Sequence, residues 1–113
     1  MTANRRRGEV AAELDGQAFR LCLTLGALAE LEATYAADDL AALVERFSGG
    51  RLSATDMIRI VGAGLRGAGY DIADDAVGAM QAENGAAGFA TIVADLLTTT
   101  FGTAPQTEQM PNP

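Results

Sequence analysis

Over residues 8–24 apolar and polar side chains alternate with a period of two, and Asp15-Gly16 interrupts the alternation near its middle. That dipeptide suits a two-residue type I′ turn, whose central positions both take positive φ. Closing the chain on it pairs Val10 with Leu21 and Ala12 with Phe19. These four residues, with Leu14 and Leu23, then share one face. Glu9, Glu13, Arg20 and Cys22 fall on the other, where opposite charges can meet across the strands. A lone two-stranded hairpin is marginal in water, so its apolar face must rest on helices or be completed by another chain.

From Thr24 onward the period lengthens to 3.6. Thr24 caps a first helix whose stripe is Leu25, Leu28, Leu31 and Tyr35, with Glu30 and Glu32 toward solvent. Asp38 or Asp39 caps a second, carrying Leu40, Leu43, Val44 and Phe47 at helical spacing and stopping at Gly49-Gly50. Ser53 and Asp56 form a capping-box start for a third, striped by Met57, Ile60, Val61, Gly64 and Leu65 and ended by Gly67 and Gly69. A short fourth helix opens at Asp71 or Ala73, carries Ile72, Val77 and Met80, and closes at Asn84-Gly85. The last runs through Phe89, Ile92, Val93, Leu96, Leu97 and Phe101 to Gly102. The expectation is an α+β fold, an N-terminal β-hairpin followed by four to five short helices in one domain. Residues 1–7 read as a basic flexible N-terminus, 8–102 as the domain, and 103–113, which hold the three prolines, as a disordered tail.

Length and charge narrow the function. A chain of 113 residues has room for one core. Its 23 alanines let helices approach closely but bury little area each, so oligomerisation or a partner is a natural source of further stability. The net charge of −7 disfavours direct contact with nucleic acid. Histidine, lysine and tryptophan are absent, and one cysteine can form neither an internal disulfide nor a zinc clip. These absences point away from an enzyme and from any metal or cofactor. Charged residues interrupt every window that would serve as a signal or membrane span, so the chain reads as soluble and cytoplasmic.

Four features invite a chemical reading. Gly62-Ala-Gly64-Leu-Arg-Gly67 is a literal G-x-G-x-x-G, which in a dinucleotide fold follows a strand and opens a helix. Here Ser53 already starts a helix upstream and no βαβ unit follows, so small residues packing closely within a helix explain it better. Asp38 and Asp39, and Asp71, Asp74 and Asp75, lack the spacing of a calcium loop and suit helix starts. Cys22 lies close to the start of the Thr24 helix, which would lower its pKa, yet with no histidine as base an inert packed thiol is the simpler reading. Arg5, Arg6 and Arg7 could touch an acidic partner but fit a solvated end.

Several runs together carry a resemblance. Arg7-Gly-Glu-Val, the hairpin leading into Leu21-Cys-Leu-Thr-Leu-Gly-Ala-Leu-Ala-Glu-Leu-Glu32, the Leu40-Ala-Ala-Leu43 helix and Ile60-Val-Gly-Ala-Gly-Leu-Arg66 resemble the gene transfer agent tail protein family. The likeness spans about residues 5–102. Gene transfer agents are phage-derived, tailed particles of bacteria that package and transfer host DNA. The family is described both as a tail tube protein and as a tail assembly chaperone. A tube subunit usually builds a β-sandwich or barrel, which one hairpin cannot supply. The resemblance therefore implies a small, acidic, helix-rich assembly chaperone, with the tape-measure or other tail proteins as partners and a homo-oligomer compatible with that role. A permanent tail component, such as a tube, terminator or connector subunit, is the alternative. A groove for a partner helix is placed, on periodicity, at Leu40, Leu43, Phe47 and Phe101.

Overall fold

The computed structural model describes residues 4–49 and 51–102. A 3₁₀ turn (Arg5–Arg7) leads into β1 (Glu9–Leu14) and β2 (Gln17–Cys22), which are followed by α1 (Leu25–Tyr35), α2 (Leu40–Ser48), α3 (Ala54–Gly67), α4 (Asp74–Gly78) and α5 (Gly85–Phe101). The architecture is thus an antiparallel hairpin followed by five helices, an α+β domain. Val10 pairs with Leu21 and Ala12 with Phe19, the register that the turn dictates. Asp15 and Gly16 take φ of 54° and 75°, as a type I′ turn requires. The tail assigned to residues 103–113 lies outside the described residues.

The hairpin does not stand alone. β2 lies against α3 and β1 against α5, while α1 packs on α3 and α2 on α1. Val10, Leu14 and Leu21 are fully buried, together with Leu31, Leu43, Ile60, Leu65 and Leu96 from four different helices. Burying such side chains contributes roughly 1.5–3 kcal/mol each, which is how a marginal hairpin becomes one wall of a core. Beyond the turn, the Asp15 backbone N–H donates to the Gln81 carbonyl at 2.8 Å, and Leu14 forms a bridge with Ala82. The segment before α5 therefore covers the C-terminal end of the outer β1 edge.

Three helix starts follow their capping residues. Thr24 Oγ1 accepts from the Ala27 N–H at 3.1 Å and Asp39 Oδ1 from the Ala42 N–H at 2.9 Å. Ser53 and Asp56 form a full capping box, each side chain accepting the other's backbone N–H. Two expectations need correction. Asn84-Gly85 does not close α4, which ends at Gly78. Instead Asn84, at φ 71°, is the left-handed residue from which α5 starts. The alanines at 86 and 87 let the helix form a turn ahead of Phe89. Leu25 is 78% exposed rather than part of the inner stripe of α1, whose buried residues are Ala27, Leu28 and Leu31. Helical side chains lean toward the N-terminus, so a leucine in the first turn points past the core.

Candidate functional site

The G-x-G-x-x-G run lies inside α3, with Gly62 and Gly64 buried. A Cβ on Gly64 would meet Leu96 Cδ2 at 2.9 Å and Leu21 Cβ at 3.3 Å. One on Gly67 would overlap the Cys22 carbonyl oxygen, and one on Gly62 the Asp74 carboxylate. The three glycines thus let α3 press against β2, α5 and α4. They sit within a helix rather than at the strand-to-helix turn that holds a pyrophosphate, so they present no phosphate cradle.

Two polar clusters hold the helices together. Asp56, 6% exposed, accepts the Tyr35 hydroxyl and lies 3.6 Å from Arg46. The guanidiniums of Arg46 and Arg59 stand 4.5 and 5.4 Å from the centroid of the Tyr35 ring. Burial disfavours the Asp56 charge, but hydrogen bonds from Tyr35 and Ser53, with Arg46 nearby, hold its carboxyl below the usual value. The same burial and the bond to Asp56 raise the Tyr35 phenol. In the second cluster Arg66 binds Glu30 at 2.8 Å, Asp74 at 3.0 Å and the Ile72 carbonyl at 2.8 Å. Glu30 is exposed, as its place on the outer side of α1 predicts, and also joins this link between α1, α3 and the entry to α4.

Other candidates fall to structural tasks. Asp39 is a cap and Asp74 an ion-pair partner, and no group of three or more Cys, Asp or Glu among the described residues could hold a metal ion. Arg7 and Arg20 lie 3.9 and 3.8 Å from Glu9, whose other oxygen accepts the Asn4 N–H. Arg7, the last residue of the basic run, is therefore drawn onto the polar face of the hairpin. Cys22 is half-buried with Sγ 3.6 Å from the Arg7 carbonyl. Burial and then Glu9 raise its pKa against Arg7 and Arg20, so the proximity of α1 does not activate it.

Of the four residues proposed for a partner groove, Leu43 and Phe47 are core, at 0% and 4% exposure. Phe47 meets the Tyr35 ring edge-on at 5.3 Å. Leu40 is 38% exposed, and Phe101 is half-buried at the far end of α5. They do not form one surface groove. An apolar recess opens elsewhere, where α3, α4 and the start of α5 converge. It holds about 170 Å³ and is lined chiefly by Met57, Ile58, Val77, Met80, Ala86 and Phe89. Sequence periodicity places Met57 on the third helix, Val77 and Met80 on the fourth and Phe89 on the last. Their convergence depends on where the 79–84 turn brings α5 back, which no local pattern encodes.

Among the described residues, no helix is long and apolar enough to cross a membrane. A family model described as "Phage tail tube protein, GTA-gp10" matches residues 7–103. No curated protein and no solved structure matches the chain.

Proposed function

The chain belongs to this gene transfer agent tail family, and from that membership we propose that it is a tail assembly chaperone that holds the tape-measure protein in solution until the tube encloses it. The observation that carries this reading is the composition of the fold. Its sheet has two strands and the other regular elements of the described residues are helices, whereas a tube wall built from strands needs a sandwich or barrel from each subunit. The charge supports it too, since a −7 domain coating an apolar helix keeps the complex soluble. No chemistry is required of it, and its place of action is the bacterial cytoplasm during assembly. Because the growing tube must displace it, each contact is weak and several copies along one tape measure supply the avidity.

The description of the family as a tail tube protein favours a second reading, a permanent structural subunit. Co-expression with the tape-measure protein of the same particle separates the two. The chaperone reading expects the tape measure to move from the pellet to the soluble fraction and to co-purify with this protein. Rings or tubes formed by this protein alone in electron micrographs, with the tape measure still insoluble, would reverse the assignment.

A further inference from the structure

The recess between α3, α4 and α5 has an apolar lining on elements that also carry exposed carboxylates. That lining is deformable, with Met57 from α3, Met80 from the turn after α4 and Phe89 from α5. Methionine adapts to varied partner side chains because its chain is unbranched and its sulfur polarizable. A volume of about 170 Å³ is smaller than the roughly 300 Å³ at which small-molecule sites begin, and matches the insertion of one or two large side chains.

The surroundings are acidic. No arginine or lysine follows Arg66, whereas Asp71, Asp74, Asp75, Glu83 and Asp95 do. Asp75, on α4, and Glu83, on the turn into α5, are exposed and make no ion pair among the described residues. Asp75 stands two residues before Val77 and Glu83 three before Ala86, on elements that line the recess, and each borders a neighbouring polar hollow. Past the same turn, Glu13 and Asp15 join Glu83 around an adjoining polar hollow. The bases of α3 are engaged elsewhere. Arg59 lies over Tyr35, and Arg66 is held by Glu30 and Asp74. Arg51, three residues before Ala54 of the lining, is exposed and is the remaining base on this side.

From this pairing of an adaptable apolar recess with unpaired carboxylates, we infer that the α3–α4–α5 face is a docking site for an amphipathic helix of a partner protein, one that presents a large apolar anchor flanked by lysine or arginine. The anchor enters between Met57, Met80 and Phe89, and the flanking cations face Asp75 and Glu83. The assignment of that helix to the tape measure rests on the chaperone reading, while the chemistry of the site does not.

Methyl NMR of the intact protein with ¹³C-labelled methionine tests the site directly, since Met57 and Met80 report on the recess and Met1 and Met110 lie far from it in sequence. The probes are two synthetic amphipathic helices with the same apolar stripe, one flanked by lysine and the other by glutamate, and helical fragments of the tape measure. The lysine helix is expected to shift the Met57 and Met80 methyls, and the glutamate helix to bind at least tenfold more weakly. Asp75→Lys with Glu83→Lys, which alters only exposed positions, should weaken the lysine helix at least fivefold. Met80→Glu should abolish its shifts.

Equal binding of both helices, or shifts that spare Met57 and Met80, would overturn the site. So would an unchanged affinity in the double charge variant, or a homo-oligomer that already buries these methyls. If tape-measure fragments bind without moving those methyls, the site is wrong and the chaperone role stands. If the lysine helix docks there and no tape-measure fragment binds anywhere, the site stands and the chaperone role fails.

Discussion

Asp56 does three jobs with one carboxylate. It completes the cap of α3, accepts the Tyr35 hydroxyl from α1 and faces Arg46 of α2. Its charged form is favoured in the folded state, so its folded pKa lies below the unfolded value. The sign follows: its stabilisation is complete above the unfolded carboxylate value of about 3.9 and is lost as the pH falls through the lower, folded value. Asp56→Asn should therefore reduce stability at neutral pH, by about 1–3 kcal/mol for breaking a buried hydrogen-bonded network. It should also flatten the loss of stability that the parent protein shows below about pH 4. Urea midpoints measured from pH 7 down to 3 would check both statements. Only part of this was readable beforehand. Ser53 and Asp56 announced the capping box through their spacing, but the link to Tyr35 and Arg46 joins residues 21 and 10 positions apart in sequence, which no helical period connects.

At the scale of elements, the contact between α3 and the hairpin depends on backbone approach. Gly67 lies against the Cys22 carbonyl and Gly62 against the Asp74 side chain. Gly67→Ala should cost about 1–3 kcal/mol, since its obstacle is the backbone of β2. Gly62→Ala should cost less, because a carboxylate can swing aside once its contact with Arg66 loosens. Thermal denaturation of the two variants would order them. A nucleotide-site role would instead have predicted lost ligand binding with little change in stability. The hairpin register was legible because Asp15-Gly16 admits one closure, and three caps were legible because Thr24, Asp39 and Ser53 precede clear apolar periods. Asn84-Gly85 was misassigned because a left-handed residue followed by glycine serves a helix end or a helix start equally well. What decides is the tertiary bridge from Gln81 and Ala82 to the hairpin turn. The recess was illegible for the same reason, since it is made by the path of that turn.

For the whole molecule, the distribution of charge and apolar surface matters more than any reactive group. All eight arginines lie at or before position 66, and the elements after it, whose only charged side chains are carboxylates, enclose an apolar recess together with α3. Such a surface suits reversible contact with a helical partner. On the proposed reading, a two-stranded sheet supplies too few strands for a sandwich- or barrel-type wall. The most direct test of the chaperone role is quantitative mass spectrometry of purified, mature particles from cells that express this protein, beside particles from cells that lack it. The account predicts that the protein is absent from finished particles and that cells lacking it yield particles without normal tails. Its presence at a stoichiometry matching a ring or a stacked tube would make it a permanent tail subunit and contradict the account.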